Sequence, residues 1–178
     1  RVPAAAEAME VAARLVDAGI DVIEVTATID GWPAAVRALR ERSAAVLVGA
    51  STVTTSGQAA AAVAAGAQFL VSPYSAPGVR IAADGAGLPF VEGGFTPGEI
   101  ARSAAGGVAK YFPAHVGGPS ALRSMLAVLP GTHIVPTGGI RLVDVPDWLA
   151  AGALAVGVGR DLTAPGDIAG RLATAFAG

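Results

Sequence analysis

Lys110 is the only lysine in 178 residues; the other eleven basic side chains are arginines. It stands inside Gly107-Val108-Ala109-Lys110-Tyr111-Phe112-Pro113, interrupting a short apolar run that a proline ends. Such a run reads as a buried strand with the proline near its exit. An ammonium held there is partly desolvated, which lowers its pKa and makes the neutral, nucleophilic amine accessible near pH 7. A Schiff-base lysine requires that state. A lysine snorkelling from a strand end gives the same local pattern, so the rest of the chain has to discriminate.

Glu24 lies in Val22-Ile23-Glu24-Val25, surroundings that penalise an unpaired carboxylate. It reads as a proton shuttle with a raised pKa near the lysine, or as a structural ion pair with Arg1 or Lys110. A carboxylate and a lysine, each the sole charge in its apolar run, together favour the shuttle. Thr137-Gly138-Gly139 and Gly157-Val158-Gly159-Arg160 close two successive strands. In barrels the loops after the last two strands commonly bind phosphate through bare backbone amides, and Arg160 would add a fork of donors. Ordinary tight turns use the same glycines. Thr52 and Thr137 offer hydroxyls to a carboxylate or carbinolamine oxygen, or cap strand ends. His115 reads as an incidental loop residue and His133 as a strand-entry residue. Asp144 and Asp147 read as a solvated helix face. No pair of histidines or carboxylates has metal-ligand spacing, so no metal is assigned.

The elements that must carry these residues alternate strictly. Helices are expected over 4–18, 32–42, 58–65, 77–84, 97–104, 120–129, 142–150 and 168–176. Strands are expected over 21–27, 44–48, 68–71, 88–91, 107–113, 133–135 and 153–156. Thr96-Pro97-Gly98-Glu99 fits an N-cap, a proline at the first helical position and a glutamate at the third. Continuous apolar strands separated by helices imply a parallel sheet buried on both faces. Eight helices with seven strands point to an α/β fold of the (β/α)8 (TIM) barrel type, one domain over 1–178, with its first strand lying before Arg1. An open doubly wound sheet is the alternative, weakened by the lack of any G-x-G-x-x-G after an early strand. Polar residues recur where strands end: Glu24, Thr52, Ser72, Glu92, Lys110, Thr137 and Arg160. In a barrel those ends converge on one mouth.

Composition bounds the reading. With 53% apolar and 15% charged residues the chain suits a well-buried core. The net charge of −2 and the absence of any basic block give nucleic-acid binding no support. There are no cysteines, hence no disulfides or thiolate metal sites. No apolar run reaches membrane-spanning length, and the expected location is the cytoplasm.

Six stretches together resemble the class I 2-keto-3-deoxy-6-phosphogluconate aldolase family, including its phosphogalactonate branch. They are Ile23-Glu24-Val25-Thr26, Gly49-Ala50-Ser51-Thr52-Val53, Ala65-Gly66-Ala67-Gln68-Phe69, Lys110-Tyr111-Phe112-Pro113, Pro136-Thr137-Gly138-Gly139-Ile140 and Gly157-Val158-Gly159-Arg160-Asp161-Leu162. The resemblance implies a (β/α)8 barrel, a homotrimer, and a lysine imine that works without metal or cofactor. By that likeness Lys110 attacks the C2 carbonyl of a phosphorylated 2-keto acid, and Glu24 shuttles protons. Thr137, Thr52, Phe112 and Arg1 bind the pyruvyl end, and Gly138, Gly139, Gly159 and Arg160 bind the distal phosphate. The products are pyruvate and glyceraldehyde 3-phosphate. Four positions depart from the family pattern. Thr28 stands where many members have an arginine, Ser51 replaces a glycine, His115 replaces a glutamate, and Glu92 replaces a proline, which puts an extra acid near the mouth.

Overall fold

The computed structural model describes residues 5–176. Two compact units divide at Phe90/Val91.

In the first unit strands and helices alternate as α1 (Ala5–Asp17), β1 (Val22–Thr26), α2 (Trp32–Arg42), β2 (Leu47–Ser51), α3 (Ser56–Ala64), β3 (Leu70–Val71) and α4 (Pro77–Ala86). Strand β1 runs parallel to β2, Val22 opposite Leu47 through Thr26 opposite Ser51, and β2 runs parallel to β3. The β-branched Val22-Ile23-Glu24-Val25-Thr26 run suits a pleated strand. Its period of two buries Ile23 and Val25 and exposes Val22 and Glu24. Helix α3 starts on a capping box: the Thr55 hydroxyl accepts from Gln58 N–H, and the Gln58 side chain accepts from Thr55 N–H.

The second unit begins one residue into β4 (Phe90–Gly94) and holds α5 (Pro97–Ala104), β5 (Val108–Tyr111), α6 (Gly118–Val128), β6 (His133–Pro136), α7 (Val145–Ala150), α8 (Arg160–Thr163) and α9 (Ile168–Ala175). Strands β4, β5 and β6 are parallel neighbours in that order. Helix α5 carries the expected capping box. Glu99 accepts from the Phe95 and Thr96 N–H groups at 3.0 and 2.8 Å, which pulls its carboxyl from an ordinary 4.5 down to about 2. Helix-facing side chains of the strands, Ala109, Tyr111 and Ile134, join Ile100, Leu122 and Trp148 in one apolar core. The Tyr111 ring stacks on Phe95 and tilts against Trp148, and burial pushes its hydroxyl pKa up.

The described residues therefore hold six parallel strands, three in each unit, and not the seven expected. Residues 153–156 do not form a strand. Leu154 N–H bonds the Ile134 carbonyl and Gly157 N–H the Pro136 carbonyl, leaving one isolated bridge, Thr137 to Gly157. Among the described residues this segment finds a ladder partner only on its β6 side, so pairing stops at a bridge. The expected helix over 142–150 is split into a 3-10 turn, Leu142–Asp144, and α7. Asp144 does not sit alone on a solvated face. Arg141 grips it with two hydrogen bonds of 2.7 and 2.6 Å, which lowers its carboxyl pKa.

Candidate active site

Lys110 is 6% exposed, the depth that its apolar run implied. Alternation along β5 puts it on the face opposite Ala109 and Tyr111, away from the helix-packed core. Its register partners are Gly93 on β4 and Val135 on β6. Phe112 shares its face two residues on, and the Lys110 Nζ lies 5.3 Å from the Phe112 ring centroid. That ring in turn lies over Gly138, where a Cβ would come within 2.8 Å of it. Gly138 and Gly139 both have positive φ, +97° and +72°, and a Cβ on Gly139 would meet the His115 ring at 2.6 Å. Both glycines are thus dictated by close approach of a ring as well as by backbone conformation.

The same loop holds Thr137. Its N–H bonds the Tyr111 carbonyl and its own carbonyl accepts from Ala114 N–H, which ties the end of β6 to the end of β5. The Thr137 side chain fills the space over Gly157. His115, read from the sequence as incidental, is built into this arrangement. Its backbone N–H donates to the Gly138 carbonyl at 3.1 Å, and its Nδ1 lies 3.2 Å from the same oxygen. A carbonyl only accepts, so Nδ1 carries the hydrogen. The signal in sequence was its place, two residues past Pro113, on a turn that has to fold back against Gly138-Gly139.

Arg160 opens α8 and is exposed, with no ion pair to another described residue; Gly159 before it has open space around its Cα. Asp161 orients this end of the unit by accepting from Leu142 N–H at 2.7 Å, while Arg171 on α9 donates to the carbonyls of Asp161, Leu162 and Ala164. Two cavities lie in this unit. One, of about 440 Å³, is lined by Leu142, Asp161, Asp167 and Arg171; the other, about 560 Å³ and apolar, by Phe95, Tyr111, Val116, Met125 and Val128. Lys110 lines neither.

Glu92 and Lys110 are on opposite faces of adjacent strands. It pairs in register with Ala109, and it shares a strand face with Phe90, whose ring lies under Arg80 of α4. It also shares that face with Gly94, whose missing Cβ points at Glu99 of α5. Glu92 therefore faces the helix layer, buried at 8% exposure, and the expected extra acid near the mouth is corrected by strand alternation. Ser72 is likewise turned inward: fully buried, it donates to the Tyr74 carbonyl at 2.7 Å.

In the first unit Glu24 is exposed, and is not sealed in an apolar run as its neighbours suggested; those neighbours point to the other face. Its register partner is Gly49, where the Phe69 ring occupies the space a side chain would take. At the ends of β1 and β2 three hydroxyls meet. Thr26 Oγ1 donates to Thr52 Oγ1 at 3.0 Å and lies 3.0 Å from Thr28 Oγ1. Thr52 has φ +57°, a left-handed conformation rare for a β-branched residue. Thr26 was not singled out from sequence; a threonine in a β-branched strand looks like propensity alone. Arg1 lies outside the described residues. Among the described residues no group of three metal-ligating side chains comes together, and no helix is long and apolar enough to cross a membrane.

Comparison with known proteins settles the family. The profile of KDPG and KHG aldolases matches residues 1–170. This chain belongs to that aldolase family. A probable 2-dehydro-3-deoxy-6-phosphogalactonate aldolase of Rhizobium meliloti is 36% identical over 168 residues, covering 92% of this chain and 79% of that one. The 2-dehydro-3-deoxy-phosphogluconate aldolase of Treponema pallidum is 40% identical over 147 residues, covering 81% and 70%. Among solved structures, a native KDPGal structure superposes with a TM-score of 0.85 at 28% identity, covering 99% of this chain and 88% of its own. The KDPG aldolase of Legionella pneumophila, with pyruvate captured as a covalent carbinolamine, gives 0.83 at 28% identity, covering 99% and 89%. The aldolase family supplies the lyase chemistry that a buried lysine on a strand suggested.

Proposed function

We propose that this aldolase cleaves a phosphorylated 2-keto-3-deoxy sugar acid to pyruvate and glyceraldehyde 3-phosphate through an imine on Lys110. The observation that carries it is the sequence's single lysine, buried on a strand face away from the helix core, next to a loop of Thr137, Gly138 and Gly139. The amine adds to the C2 carbonyl to give a carbinolamine, which loses water to form the imine. Glu24 takes the proton of the C4 hydroxyl as the C3–C4 bond breaks, and the electron pair moves into the protonated imine as an enamine. Protonation at C3 and addition of water then release pyruvate and the free lysine. Thr52, Thr137, Phe112 and Arg1 hold the pyruvyl end; Gly138, Gly139, Gly159 and Arg160 receive the phosphate. The scaffold that goes with this reading is a (β/α)8 barrel, in keeping with the strand–helix alternation and the similar aldolase structures. The working unit is a cytoplasmic homotrimer, and the apolar cavity bounded by exposed Val116 and Val128 is the surface it covers.

Pyruvate with borohydride tests the reading: reduced pyruvyl mass is expected on Lys110 and nowhere else, and none in Lys110→Met. Unlabelled Lys110 overturns it. Glu24→Gln keeps labelling but lowers the cleavage rate about a hundredfold or more; normal turnover would remove Glu24 from the mechanism.

A further inference from the structure

We propose that Thr26 and Thr28 are positioning residues that fix the Thr52 hydroxyl as a hydrogen-bond donor to the carboxylate of the 2-keto acid, an inference that rests on the function proposed above. Thr26 Oγ1 donates its one hydrogen to Thr52 Oγ1. In the 3.0 Å contact between Thr26 and Thr28 the donor is therefore Thr28. The bonds run one way, Thr28 to Thr26 to Thr52. Thr52 uses its oxygen as the acceptor from Thr26, and its own hydrogen has no acceptor among the described residues. The chain of hydroxyls thus ends in a donor, and each bond polarises the next.

The backbone holds that end in place. Thr52 sits at φ +57°, a conformation that for a β-branched residue persists only where its surroundings over-determine it. Thr26 pairs in register with Ser51, so the first two hydroxyl-bearing strand ends are locked one residue from the turn. A hydroxyl whose oxygen already accepts from its strand-side neighbour is left to donate, and that suits a ligand oxygen that only accepts. An ionised carboxylate meets that description; a sugar hydroxyl, which donates as readily, does not need the ordering. Phosphate oxygens also only accept, so the experiment has to separate the two anions.

The full-length protein is titrated with pyruvate in the presence of borohydride, and the half-saturating concentration for label on Lys110 is read. Thr26→Val is expected to raise it about tenfold, by freeing the Thr52 hydrogen to turn away. Thr28→Val is expected to raise it about threefold, through lost polarisation alone. Because the chain is broken at Thr26, the double variant Thr26→Val with Thr28→Val behaves as Thr26→Val by itself. Thr26→Ser and Thr28→Ser keep the hydroxyls and restore the unaltered value, and the saturating labelling rate stays within about twofold throughout. Additive losses in the double variant, failure of serine to restore, or unchanged pyruvate affinity overturns the proposal. So does a loss confined to the phosphorylated aldehyde, which would make the ligand a phosphate. Unaltered protein that takes no label overturns the aldolase reading, and this proposal with it; label with unaffected threonine variants overturns this proposal alone.

Discussion

The Lys110 Nζ lies 5.3 Å from the centroid of the Phe112 ring, and that ring occupies the space over Gly138. One aromatic side chain therefore links the buried amine to the glycine loop. Its contact with the cation contributes on the order of 1 kcal/mol, and its bulk fixes how closely the loop can approach the lysine strand.

Gly138→Ala breaks this link from the loop side. A methyl group there meets the Phe112 ring at 2.8 Å at a positive φ, so the ring has to move off the lysine. Thermal unfolding should show a loss of about 1–2 kcal/mol, with pyruvate labelling of Lys110 slowed about tenfold. A variant that labels at the original rate would show that the ring's position does not matter to the amine.

Gly159→Ala asks a different question of the second glycine segment. No atom lies within 4 Å of where its Cβ would stand, so the folded chain has room for a methyl group. Pyruvate labelling should be unchanged, while KM for the phosphorylated substrate rises about tenfold if a phosphate occupies that space. Equal KM values for variant and unaltered protein would place the phosphate elsewhere.

Glu99 gives a pH test of the fold. Its carboxyl is held at about 2 by backbone N–H groups of Phe95 and Thr96, against 4.5 ordinarily. A depressed carboxyl contributes stability above its unfolded pKa and loses it as pH falls toward the folded one. The melting temperature should therefore fall between pH 4.5 and 2 more steeply in the unaltered protein than in Glu99→Gln, which keeps a neutral capping box. Parallel pH profiles would mean the charge on Glu99 adds nothing to the cap.

How much of this was legible from residue types depended on the range of the forces involved. The α5 capping box, the helix over 32–42 and the buried lysine strand are local: each follows from neighbours within four residues. Glu92 was misplaced because a strand residue's face is set by register with the next strand, and a one-residue difference turns a mouth acid into one under the helices. Glu24 was expected to be buried because its sequence neighbours are apolar, but alternation sends those neighbours to the opposite face. Phe112 and His115 each meet Gly138 across 23 residues or more, a separation that local sequence patterns do not encode.

The apolar cavity on the second unit should be where copies of the chain meet. Val116 and Val128 are 62% and 64% exposed at its rim, and Phe95 and Met125 line it, so apolar surface stays in water unless another molecule covers it. Val128 ends α6 and points outward, so Val128→Glu introduces a charge that costs the isolated fold within about 0.5 kcal/mol. In an assembly the same carboxylate would be buried without a partner. Light scattering coupled to size exclusion should find the unaltered protein at three times its chain mass and the variant at one. An oligomer that survives Val128→Glu and Val116→Glu together would put the contact on another face.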